Sequence, residues 1–219
     1  MQQSASPTPQ HHAVVEEYDR LAGIYDTKWS FYNETTARET MRRLSLEPGD
    51  RVLDVGCGTG ILLEAIAAAY PEAGFSGIDA SSEMLRVARG RLGEQADLRQ
   101  AGAHELPWED RSFDLVICSS VLHYLRGPEA ALAEMRRVLR PAGTVVITDW
   151  SGDFLTSRLL DLLLRRFNRA HHRVYRQRRL CDMLRSSGFA SVRADRYKIN
   201  WLWGMMTATA SSPGSAPPT

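Results

Sequence analysis

The chain has 219 residues, 43% hydrophobic and 24% charged, enough apolar material for one globular domain with a sizeable core. Its formal net charge of +1 excludes an overall field that would draw it to nucleic acid or to a membrane. Three widely spaced cysteines, Cys57, Cys118 and Cys181, exclude a disulfide framework and a Cys-x-x-Cys metal site, and no apolar run reaches the roughly 18 residues of a membrane-spanning helix.

Both ends, 1–12 and 211–219, are small, polar and proline-rich and read as disordered, leaving a single domain over 13–210. The N-terminal stretch lacks the basic and apolar regions of a signal peptide, so a reducing, cytoplasmic compartment is the expectation. From Ala13 to Leu46 the spacing of Tyr18, Leu21, Tyr25 and Trp29 predicts two helices, and Pro48-Gly49 a turn. Apolar runs then alternate with helical segments. A strand over 51–55 leads to a helix over 61–69, then a strand over 74–79 and a helix over 81–91 with Ser81 as N-cap. A short strand near 97–100, an apolar strand over 113–119, a helix over 128–139 opened by Pro128 and a strand over 144–150 follow. Continuous apolar strands separated by helices predict a mostly parallel sheet covered on both faces. Past Trp150 come a strongly helical 153–170 and a second helix over 176–187, ended by Gly188. Two strand-like runs, ASVRADRYKI and NWLWGMMTATA, should pair as an antiparallel hairpin at one edge.

The stretch RVLDVGCGTG sets a glycine turn between a strand and a helix, where backbone N–H groups and a helix N-terminus face a ligand. Gly56, Gly58 and Gly60 can take positive φ and let a ligand approach the main chain closely. The spacing is G-x-G-x-G, unlike the G-x-G-x-x-G of nicotinamide and flavin folds, and there is no Lys-Ser/Thr pair of a phosphate loop. Asp54, just before the turn, suits a cationic group and would repel a pyrophosphate. Asp79, ending the next strand, stands where a carboxylate can accept both hydroxyls of a ribose. The two acids bracket a ligand with an amine or cation at one end and a ribose at the other; a tight turn with a capping acid is the competing structural reading.

VLDVGCGTG, GIDASSEML, LPWEDRSFDLVICSSVLHYL and RVLRPAGTVVITDW resemble, in order and spacing, the successive motifs of class I S-adenosylmethionine (SAM)-dependent methyltransferases. YDRLAGIYD resembles the segment before this core in the small-molecule branch, such as the ubiquinone/menaquinone-biosynthesis methyltransferases. The resemblance covers about residues 50–150. It implies an α/β, Rossmann-like fold: a mostly parallel seven-stranded sheet with an antiparallel closing hairpin, helices on both faces, N-terminal helices, and a helical insert over 151–187 as a lid. It also implies Asp54, Gly56, Cys57, Gly58 and Gly60 around the methionine end of SAM, with Tyr25 closing over the cofactor. Asp79 is implied on the ribose, Ala80 and Met84 beside the adenine, and Cys118 and Ser119 at the sulfonium and the substrate mouth. Where the family usually reads Gly-Asp-Ala before Leu-Pro, this chain has Ala101-Gly102-Ala103, so the adenine amino contact is left to His104 or to main chain at Ala103.

Methyl transfer from a sulfonium is an in-line displacement that asks chiefly for positioning and desolvation. A base helps when the nucleophile is a hydroxyl, and His123, with Tyr124 beside it, follows the fourth strand toward the reaction centre. His123 reads equally as a capping or packed histidine, and Tyr18 either as a substrate contact or as helix packing. In 154–179 an apolar face of Phe154, Leu155, Leu159, Leu162, Leu163 and Phe167 adjoins Arg158, Arg165, Arg166 and Arg169. Three readings are open. The helix is an amphipathic lid packed on the domain with a solvated basic face; or it belongs to an anion site in which His171, His172, Tyr175, Arg173 or Arg176 grips the acceptor; or 154–169 makes peripheral membrane contact. The expectation is a SAM-dependent methyltransferase that yields S-adenosylhomocysteine (SAH) and acts on oxygen or nitrogen of a small molecule, anionic or lipid-like. No nucleic acid partner and no metal are expected. A SAM-binding protein that transfers no methyl group, whether sensor, partner subunit or cyclase, is the alternative.

Overall fold

The most apolar runs occupy the middle of the sheet. In the computed structural model, which describes residues 9–168 and 171–214, β1 (Arg51–Val55) lies between β2 (Gly74–Asp79) and β4 (Phe113–Ser119). Outside β2 is β3 (Ala96–Gln100); beyond β4 come β5 (Leu139–Trp150), β7 (Gly204–Ser211) and β6 (Ala190–Lys198), giving the order β3-β2-β1-β4-β5-β7-β6. The first five strands are mutually parallel, and β7 runs antiparallel to both β5 and β6. This is the predicted Rossmann-like sheet with its closing hairpin.

Helices cover both faces. On one side α6 (Pro128–Val138) and α8 (Gln177–Ser186) set Leu132, Met135, Leu180 and Met183 against Leu53, Val116 and Ile147. On the other, α3 (Ser30–Met41), α4 (Ile61–Ala69) and α5 (Ser82–Leu92) set Met41, Leu63, Ile66 and Leu85 against Val52, Ile117 and Val146. Strands buried on both faces need apolar residues at successive positions, which is why their sequences do not alternate. Ser81 caps α5 as expected, its Oγ accepting from Met84 N at 3.1 Å.

Several boundaries differ from the sequence expectations. The N-terminal region forms three helices rather than two: α1 (Pro9–Leu21), α2 (Tyr25–Lys28) and α3, so residues 9–12 are helical. β5 begins at Leu139, not Thr144, because the Pro-Ala-Gly stretch is absorbed as an irregularity within the strand, with Ala142 at φ 64°. NWLW is the hairpin loop and not strand: Asn200 Oδ1 accepts from the main-chain N of Leu202 and of Trp203 at 2.9 Å each. Ser211 still pairs within the sheet, and Ser212 N donates to the Gly143 carbonyl at 2.8 Å, so the irregular end starts later than composition suggests. Residues 1–8 and 215–219 lie outside the described part.

The largest departure is α7 (Leu155–Phe167). Of the three open readings, the first, with the apolar face packed on the domain and the basic face solvated, does not hold. Ser157 and Asp161 face inward, while Leu155, Leu159, Leu162, Leu163 and Phe167 are exposed. Polar anchors decide the roll of the helix: Ser157 Oγ accepts from Gly204 N at 3.0 Å, and Asp161 Oδ1 accepts from Val174 N at 2.9 Å.

Candidate functional site

The chain leaves β1 at Val55 and turns through Gly56, Gly58 and Gly60, at φ 78°, 53° and 78°, before entering α4. Gly56 N and Cys57 N both donate to the Ile78 carbonyl at 2.8 Å, which stitches the turn to β2. Gly56 is glycine for a second reason: a Cβ there would lie 2.3 Å from Val121 Cγ2. Gly56→Ala is therefore expected to cost about 2 kcal/mol or more, from left-handed strain and overpacking. Thermal unfolding should show a midpoint several degrees lower; an unchanged midpoint would mean that Val121 yields freely.

Beside the turn is a small cavity of about 70 Å³, lined by Tyr25, Asn33, Asp54, Gly58, Ser119 and Ser120 among others. Two of its lining groups carry a buried polar atom without a hydrogen-bond partner: Asp54 Oδ1 and Asn33 Nδ2. A carboxylate acceptor and an amide donor facing one cavity match the ammonium and carboxylate of an amino-acid tail. Burial, with the Asp79 charge second, pushes Asp54 up to about 7. Such a group gains most from a cation.

Asp79, ending β2, accepts from Gly58 N on one oxygen and from Ser81 N on the other, at 2.9 Å each. Burial raises its pKa, and these amides oppose the rise. Each oxygen keeps a lone pair for a ribose hydroxyl. The YDRLAGIYD segment is tied across the turn. Ser81 Oγ donates to Asp19 Oδ1 at 2.5 Å, Thr59 Oγ1 donates to Asp26 Oδ1 at 2.6 Å, and Arg91 pairs with both Asp26 and Glu64. Burial first, then Asp79 and Asp26, pushes Tyr25 up to about 12, so its phenol stays neutral.

A second polar centre sits at the carboxyl ends of β4 and β5. Ser120 adopts φ 61°, and the following short turn places His123 against Asp149. His123 Nδ1 lies 2.7 Å from Asp149 Oδ1, and its main-chain N donates to Asp149 Oδ2 at 3.2 Å. Both side chains are 2% exposed. The carboxylate holds the proton on Nδ1, which leaves a lone pair on Nε2. That Nε2 is buried and has no partner. The imidazole stacks on Trp150 at 5.0 Å, with Tyr124 at 4.0 Å and His171 at 5.6 Å. Trp150 Nε1 donates to Tyr32 Oη, which lies 2.6 Å from Ser120 Oγ at the cavity. One chain of contacts thus joins the cavity to the imidazole.

The other predicted residues divide. Tyr18 Oη donates to Tyr124 Oη at 2.8 Å, close to His123, and His171 Nε2 lies 2.8 Å from Asp161 Oδ1. Ser119 lines the cavity. Cys57 lines it too, yet its thiol turns to the core, where a Cβ on Gly77 would meet Sγ at 2.9 Å. Cys118 and Tyr175 are buried in the main core cluster. Ala80, Met84, Ala103 and His104 do not line this cavity; Met84 is fully buried, and His104 Nε2 lies 3.0 Å from the Arg126 carbonyl at the surface. Asn33, Ser120, Tyr32 and Asp149 were not anticipated. Asp149 carries a signal, an acid one residue before the end of an apolar parallel strand, much as Asp79 ends β2; Asn33, on a polar helix, carries none.

A methyltransferase-domain family matches residues 53–147. The chain is 37% identical over 142 residues to phosphatidylethanolamine N-methyltransferase of Cereibacter sphaeroides, covering 63% of this chain and 68% of that protein. It is 34% identical over 151 residues to the ubiquinone/menaquinone biosynthesis C-methyltransferase of Cupriavidus taiwanensis, covering 64% of this chain but only 58% of the relative's length. The structure superposes with a TM-score of 0.80 on a Haloferax volcanii protein in complex with the Trm112 methyltransferase activator, at 21% identity and covering 90% and 98% of the two chains. Sequence relatives and fold agree: the chain belongs to the class I SAM-dependent methyltransferases.

Proposed function

We propose that the protein transfers a methyl group from SAM to an oxygen or nitrogen atom of a small-molecule acceptor with anionic or lipid-like character, in the cytoplasm. The observation that carries this reading is the pair of unsatisfied sites on one contact chain: the Asp54–Asn33 cradle and the lone pair of His123 Nε2. When bound, SAM supplies the electrophilic methyl group. Asp54 and Asn33 hold its amino-acid tail, Asp79 its ribose, and Tyr25 with the strapped N-terminal helices keeps water away. His123 removes the acceptor proton, while Asp149 fixes the tautomer and steadies the imidazolium. The similarity to a phospholipid N-methyltransferase and to a quinone-pathway C-methyltransferase supports a small, lipid-like acceptor.

Calorimetric titration with SAH is the direct test, followed by transfer of labelled methyl from SAM to hydroxyl and amine acceptors. Micromolar SAH binding is expected; absence of binding overturns the proposal.

A further inference from the structure

The five outward residues of α7, Leu155, Leu159, Leu162, Leu163 and Phe167, are between 54% and 74% exposed. A helix on a domain normally turns such residues inward, and this one does the reverse. The inversion is held in place. Ser157 binds the main chain of Gly204, while Asp161 binds Val174 N and His171. The leucines therefore cannot roll into the core without stripping these partners.

What surrounds the apolar stripe is positive. A groove of about 360 Å³ runs beside α7, lined by Leu155, Leu159, Leu162 and Val174 together with Arg158, Arg176 and Asp161. Among the described residues Arg158, Arg166 and Arg176 make no ion pair, while the only acid within α7, Asp161, is already engaged by Arg165 and His171. Trp201, 76% exposed, projects from the β6–β7 loop, and the Ser157–Gly204 contact brings the end of that loop against α7. Aromatic side chains favour the headgroup level of a bilayer.

We infer that α7 is a docking surface for anionic phospholipid membranes, lying flat in the interface with its leucines in the acyl boundary and its arginines on the headgroups. Thirteen residues span only about 20 Å, and no helix among the described residues is long and apolar enough to cross a bilayer. The geometry is that of an interfacial helix. Charge selects this occupant over a second copy of the chain, because antiparallel pairing of two α7 stripes would set arginines against arginines.

The test is co-sedimentation of the whole protein with phosphatidylcholine vesicles, with or without phosphatidylglycerol, in the absence of SAM and of any acceptor. A failure here is thus separate from a failure of the methyl-transfer reading. Binding is expected only with phosphatidylglycerol present, and should weaken with salt. Arg158→Gln and Arg166→Gln should each weaken it about fivefold, equivalent to about 1 kcal/mol per arginine. Leu159→Gln/Leu162→Gln should weaken it more than about tenfold, with the thermal midpoint and SAH affinity unchanged. Three results would overturn the inference: no vesicle binding, equal binding to neutral vesicles, or wild-type binding by the leucine variant. A dimer in solution that the leucine variant dissolves, with no vesicle binding, would also overturn it and assign the stripe to a second copy.

Discussion

Asp54→Asn is expected to weaken SAH binding by at least about 30-fold and, in the same protein, to raise the thermal stability of the ligand-free form. Removing one partner of a buried charge pair costs about 2–5 kcal/mol of binding, and the lower figure corresponds to that factor. Stability moves the other way because the Asp54 carboxylate is 2% exposed with one oxygen unpaired, and a neutral amide removes the cost of burying its charge. The sign of the pH dependence follows. Asp54 sits at about 7 in the folded protein, above the ordinary carboxylate value, so between about pH 4 and 7 the folded state holds a proton that the unfolded chain releases. Its contribution to stability is full below about pH 4 and is lost as pH rises to about 7. The gain in midpoint of Asp54→Asn over wild type should therefore grow from about pH 5 to about pH 8. SAH affinity of the wild type should do the opposite. It should rise by up to about tenfold per unit to near pH 7 and then level off, while the Asn variant stays flat. Equal SAH affinity in the two proteins would remove Asp54 from the ammonium site.

His123→Ala is expected to lower kcat by roughly 100- to 10,000-fold while SAH affinity stays within a few-fold, because the imidazole touches Asp149, Trp150 and Tyr124 rather than the glycine turn. The alanine variant takes the imidazole from the buried Asp149 carboxylate and leaves it only the main-chain N–H groups of residue 123 and Trp150, which costs stability. His123→Asn, which retains a donor toward Asp149, separates that cost from the chemistry and should be equally slow. Asp149→Asn should fall between wild type and His123→Ala, since it loosens the tautomer but keeps the ring. Unchanged turnover in His123→Asn would rule out the base role and turn attention to an acceptor whose nucleophile needs no deprotonation.

Strands and helices from Arg51 to Val138 lie within about a residue of their sequence limits, because most of these segments border a glycine, a proline or the capping Ser81, which leaves the backbone few choices. The glycine turn and its two flanking acids were legible for the same reason. Asp54, the glycines and Asp79 are contiguous with the strands that carry them, so their positions follow from local structure. The rest of the site was not legible, because it is assembled across distance. Asn33 reaches the cavity from an N-terminal helix, and Asp149 meets His123 from a neighbouring strand 26 positions on.

The sequence by itself determined the order of elements, the parallel sheet and the position of the glycine turn, all set by hydrophobic period and by glycine conformation. Only the tertiary structure decided that His123 is buried against a carboxylate with Nε2 free, and that Cys118 and Tyr175 belong to the core. It also decided the roll of α7. Helical period shows that a helix has two faces, but which face turns inward depends on partners far along the chain, here Gly204 and Val174.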